Sequence, residues 1–588
     1  MLPVIVLVAL GLGAPGLAAP PQAVQRFSFE GAQPLAGVVV AASGEAQKRM
    51  PAPHPERGGL LLLESWWKSG ATAAFAAPAA AAPGEWLVLQ ARVMMNTGTE
   101  GMGFLLLDTR SDGTEPTAPA LEAWESPSHP RAFGIGLDAS DPPNRDPFRG
   151  SGNAYDRPQH ELSLHWDGAE LVKAVTPTDF RDEQWHDLVV GVQFLTGAAE
   201  VTVLLDGKPV FERFLVPNMT PFPARLAIGA RNAETAGDLL VDEVALGIGP
   251  AATTLPEPTR VVAHDRVLND KDHGSLPVEV EFPADMDAVG RIVLTLRLDK
   301  PETRFDPWDR IAHLWIDDPK LGKVELLRYI TPYHRGGEWS MDVSDFRPLL
   351  RGRTKLLLEC GTQGEGWVVS TIFTLHRGPA ERTAIAYEPL WCGDPEIGNP
   401  DRPVTAFYDP RTVRAPEGAD AAALRTVVTG HGMEPNTGNA AEFLSIGRTV
   451  VANGTRFRNI LWKTDNYLNP CRPQGGTWKY DRAGWAPGDV VRPWTVDLTP
   501  VLRAVAPAAD GARALAVSYE LDPYVNEGRG KTWAPTHATQ SAMVWYRSGE
   551  ARARIDPAAP LGPATPAPAA PAAPAAAPAL GSAPGPTP

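Results

Sequence analysis

One acidic residue in the second half of the chain has neighbours that suit a reactive site. Asp309 lies between Trp308 and Arg310, just before a predicted strand. A carboxylate can take up or release a proton during a reaction, and tryptophan and arginine can hold a sugar or another polar group. The alternative is a surface ion pair beside a core tryptophan, which would contribute little to stability. The triplet is therefore a candidate site that the surrounding elements must position.

Metal chemistry has almost no support in the sequence. The three cysteines, Cys360, Cys392 and Cys471, show no zinc-site spacing, and the twelve histidines include no His-x-His and no His-Glu-x-x-His. We expect no metal and no other cofactor. Three thiols allow at most one internal disulfide, and one bridge is expected without a pairing that the sequence determines.

Composition excludes several classes of protein. A chain of 588 residues suggests roughly four domains. Its 54 Lys and Arg residues against 69 Asp and Glu residues give a net charge of −15, which disfavours nucleic acid as a partner. Hydrophobic residues make up 43% of the chain, enough for ordinary packed cores. Seventeen tryptophans are many, and exposed tryptophan stacks well on sugars, although most tryptophans fill cores.

The two ends of the chain are unlike its middle. Residues 1–18 are predicted to be a signal peptide, because an apolar run over 2–12 precedes small residues at a cleavage position. No Lys or Arg precedes that run, so a frayed terminus is the alternative. Residues 551–588 are rich in Ala and Pro and are predicted to be a disordered tail or spacer. We therefore expect a secreted, periplasmic or cell-surface protein with no membrane span.

The first globular segment, residues 24–248, is predicted to be all-β. Short alternating strands recur, and one of them runs into Asp206-Gly207, a pair typical of hairpin turns. The segment QWHDLVV at 184–190, that hairpin, and LAIGARN at 226–232 followed by LVDEVAL at 240–246 resemble the concanavalin A-like (laminin-G or lectin) jelly roll. This domain is expected to be an accessory carbohydrate binder or a spacer.

A long polar loop over 138–155 lies within that segment. It offers four side-chain oxygens suited to calcium, although a solvated insertion is the simpler interpretation. The four residues are Asp138, Asp141, Asn144 and Asp146.

The second half begins after a Pro-rich linker at 249–258 and is also predicted to be built of strands. Residues 291–298 alternate so that four apolar side chains share one face. The segment WSMDVSDFRPLL at 339–350 is echoed by WTVDLTPVL at 494–502. The repetition predicts two similar sandwiches over 259–380 and 381–548, and a cleft between paired domains is a common place for a ligand.

Four motifs in this half occur in order: WDR at 308–310, RYITPY at 328–333, DVSDFRPLL at 342–350 and YDRAGWAPG at 480–488. Together they resemble the peptide-N4-(N-acetyl-β-glucosaminyl)asparagine amidase F (PNGase F) family. The resemblance implies two eight-stranded jelly rolls packed side by side, with an active site at their interface. It also implies metal-free hydrolysis of the bond that joins an N-glycan to asparagine.

The resemblance extends to single residues. Asp309 falls on the essential acid of the family, which would activate water, and Glu442 on a second acid that would orient water and substrate. Glu359 matches the third acid only with a shift of a residue or two. Carboxylates brought together in this way should raise the pKa of at least one of them. The side chains expected to bind substrate are Trp308, Arg310, His431, Arg482 and Trp485.

The chain also departs from the family pattern. Ala440 and Leu444 stand where the family has cysteines around its second acid, and Ala486 replaces a cysteine, so Cys471 lacks its expected partner. His431 stands where the family has a tryptophan. These changes affect glycan preference and rate more than the fold.

Several functions remain open from the sequence. The leading hypothesis is an exported amidase that acts on N-glycosylated proteins or glycopeptides. A glycosidase could use the same two carboxylates, and a non-catalytic protein could use both halves only to bind carbohydrate. A copper monooxygenase would need histidine clusters that are absent. A monomer is expected.

Overall fold

Alternating apolar residues build strands along most of the chain. The computed structural model describes residues 19–29, 37–65, 67–78, 82–96, 98–139, 160–233, 236–432, 441–526 and 534–565. The predicted signal peptide lies outside the described residues, and so do three of the four loop oxygens proposed for calcium, those of Asp141, Asn144 and Asp146. Within the described part of the chain, no helix is both long and apolar enough to cross a membrane.

Residues 23–248 form a two-sheet β-sandwich, called here the first sandwich. One sheet has the order β13-β12-β11-β6-β15-β4-β3 with β1 paired to β15, and the other has the order β10-β9-β8-β7-β14-β5-β2. A short α-helical turn, α1, lies at Thr109–Asp112. The strands are β1 Ala23–Phe27, β2 Val38–Gly44, β3 Ala52–Pro53, β4 Leu60–Leu63, β5 Ser69–Phe75, β6 Trp86–Met95, β7 Gly101–Asp108, β8 Ala132–Asp138, β9 Glu161–Trp166, β10 Ala169–Val175, β11 His186–Leu195, β12 Ala198–Leu205, β13 Lys208–Pro217, β14 Ala224–Asn232 and β15 Leu239–Ile248.

Part of the outer face of the seven-stranded sheet is covered by the segment that follows α1. Trp124 is 4% exposed, and a Cβ added at Gly229 would lie 2.0 Å from its indole ring. Glycine at this position therefore allows the segment that follows α1 to lie directly on the sheet.

Two further sandwiches follow with the same topology. The first jelly roll has sheets ordered β16-β23-β18-β21 and β17-β22-β19-β20. Its strands are β16 Thr259–Asn269, β17 Ser275–Phe282, β18 Val289–Asp299, β19 Ile311–Asp318, β20 Gly322–Ile330, β21 Gly337–Asp342, β22 Gly352–Cys360 and β23 Trp367–Arg377. Ile292, Leu294, Leu296 and Leu298 are buried in its core, as the alternation predicted.

The second jelly roll repeats this order as β24-β32-β26-β30 and β25-β31-β27-β28. Its strands are β24 Arg382–Gly393, β25 Arg411–Arg414, β26 Ala421–His431, β27 Ile446–Ala452, β28 Thr455–Leu461, β30 Trp494–Asp497, β31 Ala514–Leu521 and β32 Thr536–Ser548, with helix α2 at Thr499–Ala504. A short strand of this half, β29 (Asp489–Val490), pairs with β20 of the other roll. The predicted all-β fold with paired jelly rolls is confirmed.

The predicted disordered tail is wrong for its first part. Residues 551–565, called here the C-terminal strap, run back over the first sandwich, whereas residues 566–588 lie outside the described residues. Leu561 is only 6% exposed because it packs against apolar side chains of the first sandwich. Arg554 forms ion pairs with Glu200 and Glu381. An Ala/Pro composition therefore did not prevent this segment from packing on a partner surface.

Candidate active site

The loop that carries Asp309 is fixed from below by a buried acid. Asp306 is fully buried and accepts hydrogen bonds from the backbone N–H of Trp308 at 2.9 Å and from the Arg310 guanidinium at 3.2 Å. Thr331, at the end of β20, accepts from the backbone N–H of Arg310 at 2.7 Å. Because the Arg310 guanidinium is hydrogen-bonded to Asp306, it stabilises the loop rather than extending into solvent.

Asp309 itself is partly buried and lies in a charged environment. The hydroxyl of Tyr333 donates a hydrogen bond to its carboxylate, and the charges of Arg482 and Glu442 both act on it. Burial and, to a smaller extent, the negative charge of Glu442 raise the pKa of Asp309, whereas Tyr333 and Arg482 lower it, and the net result is a pKa of about 6. The predicted upward shift is therefore present, with burial as its larger cause.

Glu442 approaches from the second jelly roll, in the turn that leads into β27. Its Oε1 accepts from Nε of Arg482 at 3.0 Å, and its backbone carbonyl accepts from the N–H of Ala483 at 2.9 Å. The motif residue Arg482 thus fixes both the side chain and, through its neighbour, the backbone of the second acid. Two acids 133 positions apart in the sequence therefore act on one another across the two rolls.

Arg482 is fully buried, and nearly all of its donors are used. It donates to the carbonyls of Thr477 at 2.7 Å and Tyr480 at 3.1 Å and to the Thr477 hydroxyl at 2.5 Å. Its guanidinium lies 4.7 Å from the ring centre of Trp485. Arg482 therefore lines the inner side of the site and orients the Glu442 side chain.

Trp485 and His431 lie beside Arg482 on the same side of the site. Trp485 is 5% exposed and donates from Nε1 to the carbonyl of Gly430 at 2.9 Å. His431 stacks on it with ring centres 5.5 Å apart. Burial first, and then the nearby charge of Arg328, lower the pKa of His431 to about 3, so the imidazole is neutral near pH 7.

Trp308 is the exposed aromatic of the site. Its side chain is 59% exposed and meets the ring of Tyr333 edge to face at 6.2 Å. A large apolar ring open to solvent beside the acids of the site is suited to stacking on a sugar.

The structure does not bring Glu359 into this cluster. Glu359 lies on β22 and pairs with Lys323 at 2.9 Å, and it is not among the largest influences on the pKa of Asp309. The sequence comparison missed a different acid, Glu325, which is buried where the two rolls meet. Arg328, the first residue of the RYITPY motif, donates to Glu325 at 2.9 and 3.0 Å.

Arg328 also joins the two rolls directly. It donates to the Thr429 hydroxyl at 2.8 Å and to the carbonyl of Ala538 at 2.6 Å. Burial alone would raise the pKa of Glu325, but Arg328 and a hydrogen bond with His313 outweigh burial and hold it at about 2. The position of Arg328 in a quoted motif was the signal that could have identified this contact.

The expected disulfide is absent. Cys360, Cys392 and Cys471 are all free thiols. Cys360 and Cys471 are buried on separate elements, and burial raises the pKa of each thiol to about 12. Among the described residues, no group of three or more His, Cys, Asp or Glu side chains is arranged to hold a metal ion.

Comparison with known proteins agrees with the motif analysis. The family model described as "Peptide-N-glycosidase F, C terminal" matches residues 404–508. The chain is 27% identical over 291 residues to peptide-N(4)-(N-acetyl-beta-D-glucosaminyl)asparagine amidase F of Elizabethkingia miricola, which covers 46% of this chain and 81% of that protein. The resemblance predicted from the four motifs is confirmed.

Two solved structures are each similar to part of the chain. A crystal structure of peptide-N(4)-(N-acetyl-beta-D-glucosaminyl) asparagine amidase is 24% identical and covers 49% of this chain and 96% of its own, with a TM-score of 0.43. The exoplasmic/lumenal domain of VIP36, in its Ca2+/Man3GlcNAc-bound form, is 11% identical and covers 40% of this chain and 93% of its own, with a TM-score of 0.28.

Proposed function

We propose that the two jelly rolls form an amidase that hydrolyses the bond between an N-linked glycan and the side-chain amide of asparagine. The observation that carries the proposal is the meeting of Asp309 from one roll with Glu442 and Arg482 from the other. The matched family model over residues 404–508 and the 27% identical relative support the same reaction class.

The residues suit the chemical demands of this reaction. Amide hydrolysis needs a water that loses a proton as it attacks the carbonyl carbon, and the departing glycosylamine nitrogen needs a proton. Asp309, with a pKa of about 6, is mostly ionised at neutral pH and can still carry a proton for part of the reaction. It takes the proton from the attacking water and passes it to the leaving nitrogen.

The other groups position the reactants. Glu442, held by Arg482 at 3.0 Å, orients the water and the amide. The exposed ring of Trp308 provides a surface for the sugar next to asparagine. Arg310 and Trp485 support the shape of the site, because each is hydrogen-bonded within the protein.

Product analysis tests the proposal. The purified protein is incubated with a fluorescent N-glycopeptide, and the peptide product is identified by mass spectrometry. We expect aspartate at the former glycosylation site and a released glycan with an intact reducing-end GlcNAc. A peptide that keeps one GlcNAc would instead indicate a glycosidase, and an intact glycopeptide that stays bound would indicate a carbohydrate-binding protein.

We also propose that the protein acts outside the cytoplasm on glycoproteins or glycopeptides. The apolar run at 2–12 followed by small residues supports export. Amino-terminal sequencing of protein recovered from the medium or periplasm is expected to begin near residue 19. Recovery of the uncleaved chain from the cytoplasm would contradict export.

A further inference from the structure

One segment of the second jelly roll contacts the side chains that surround both acids. Residues 466–478, called here the wall segment, lie between β28 and β29. The Thr477 hydroxyl accepts from Arg482 at 2.5 Å and is hydrogen-bonded to the Tyr333 hydroxyl, which donates to Asp309. Hydrogen bonds therefore run from Arg482 through Thr477 and Tyr333 to Asp309. The placement of the wall segment determines the geometry of that whole series.

The wall segment packs closely on Tyr333. A Cβ added at Gly476, whose φ is 66°, would lie 2.6 Å from the Tyr333 ring. The backbone N–H of Tyr333 donates to Gln474 Oε1 at 3.1 Å. A small movement of the segment would therefore move the Tyr333 ring as well.

The first sandwich holds the wall segment through an ion pair between Arg472 and the buried Glu161. Arg472 donates to Glu161 Oε2 at 3.2 Å and to the carbonyl of Tyr467 at 3.1 Å. The Glu161 side chain is 3% exposed and the Arg472 side chain 15%. Arg472 thus ties its own segment to β9, more than 300 positions away in the sequence.

The surface of the first sandwich that Arg472 meets carries a group of acidic side chains. Asp138, Glu161 and Glu170 each lie within 3.9 Å of Lys173. Arg472 adds a further cation to this group through its ion pair with Glu161. The negative potential of all three carboxylates raises the pKa of Arg472 against the opposing effect of its burial.

The wall contact is one of several attachments of the first sandwich. The C-terminal strap binds that sandwich through Arg554, which pairs with Glu200 and Glu381. Loss of the Arg472–Glu161 pair would therefore loosen the wall segment and leave the sandwich attached.

We propose that Glu161 and Arg472 are positioning residues, through which the first sandwich fixes the wall segment and so holds Tyr333 against Asp309 and Arg482 against Glu442. This inference rests on the proposed function for its kinetic part. It gives the first sandwich a role in the chemistry of the paired jelly rolls, in addition to any ligand of its own.

Kinetics of the full chain test the proposal. Glu161→Gln and Arg472→Met are each expected to lower kcat for an N-glycopeptide about tenfold with little change in KM, because a small displacement of reacting groups is costly. The hydrogen bond from Tyr333 lowers the pKa of Asp309, so its loosening should move the acidic limb of the rate profile to higher pH. Arg472→Lys should recover most of the rate. Arg554→Met, the matched control, should keep wild-type values.

A measurement that does not depend on catalysis separates this inference from the proposed function. Hydrogen–deuterium exchange of peptides covering 466–478 is expected to be several-fold faster in Glu161→Gln and Arg472→Met than in the wild type and in Arg554→Met. If the folded variants show unchanged exchange in 466–478 and an unchanged acidic limb of the rate profile, the proposed positioning role of Glu161 and Arg472 is wrong. If the wild type releases no glycan, the proposed function is wrong. The exchange data still decide whether the Arg472–Glu161 pair holds the wall segment.

Discussion

Asp309 is a carboxyl group that the fold makes harder to ionise. Burial and the negative charge of Glu442 act in one direction, and Arg482 and Tyr333 act in the other. The sequence predicted this residue because Trp308 and Arg310 flank it within a recognisable motif. It did not predict Tyr333 as its hydrogen-bond donor, because that contact depends on how the end of β20 meets the loop before β19.

Replacing Asp309 by asparagine should remove most of the activity. We expect Asp309→Asn to fold normally and to lose about 10²–10⁴-fold in kcat/KM, since a positioned proton carrier contributes on this scale. Glycan release from a labelled glycopeptide measures the loss. The matched control is Glu359→Gln, because Glu359 pairs with Lys323 outside the cluster, and it should keep nearly the full rate. Equal losses in both variants would contradict the arrangement of acids described above.

The rate should also depend on pH in a defined way. If Asp309 must be ionised to accept a proton from water, kcat/KM should fall about tenfold for each pH unit below its pKa. With that pKa at about 6, the decline should begin near pH 6 rather than near pH 4. Initial rates between pH 4 and 8 would show this limb, and a rate that stays flat down to pH 4.5 would contradict the assignment.

The same shift predicts an effect on stability. Folding raises the pKa of Asp309 from its usual value of 3.8 to about 6, so the folded state binds the proton more tightly. Stability from this group is full below pH 3.8, falls as the pH rises to about 6, and stays reduced above that, by on the order of 3 kcal/mol. Asp309→Asn should therefore be more stable than the wild type at pH 8 by about 1–3 kcal/mol. Urea unfolding at pH 8 and pH 4 measures this, and an advantage of equal size at both pH values would contradict it.

At the scale of elements, local patterns were predictable and contacts between sheets were not. The hairpin between β12 and β13 turns at Asp206 and Gly207, with φ of 50° and 71°, as that residue pair favours. The repeated Trp-containing segment corresponds to β21 and β30, which occupy equivalent edges of the two rolls. In contrast, Arg328 meets Thr429 of β26 and Ala538 of β32 only once the two rolls pack together, and no spacing in the sequence encodes that.

The buried Glu325–Arg328 pair on β20, whose arginine also donates to the second roll, should be important for the union of the two rolls. Arg328→Met leaves the Glu325 carboxylate buried, where only 1% of its side chain is exposed, and should destabilise the protein by about 3–5 kcal/mol. Lys323→Met on the same strand breaks a half-exposed pair with Glu359 and should cost less than about 1 kcal/mol. Denaturant unfolding of both variants checks the difference. Similar small losses would mean that Glu325 is protonated or hydrated in the folded state.

At the scale of the whole molecule, the C-terminal strap and the first strand meet although they lie far apart in the sequence. The backbone N–H of Thr565 donates to the carbonyl of Val24 at 2.8 Å, so the C-terminal strap ends beside β1. The sequence predicted disorder here because Ala and Pro build no core of their own. The outcome differs because the core is supplied by a distant surface: a Cβ at Gly191 would lie 2.6 Å from Pro557, and one at Gly247 would lie 2.5 Å from Leu561.

Removal of the strap should therefore weaken the first sandwich specifically. We expect a chain ending at residue 550 to unfold its first sandwich at lower temperature, because it exposes the surface that Leu561 covers and leaves Glu200 without Arg554. Burial of one leucine contributes about 1.5–3 kcal/mol, which is large against the stability of an ordinary domain. A chain ending at residue 565 keeps every strap contact described above and serves as the matched control, with unfolding like that of the full chain. Calorimetry, together with limited proteolysis at the 249–258 linker, distinguishes the two, and identical melting of both truncated chains would show that the strap adds nothing to the sandwich it covers.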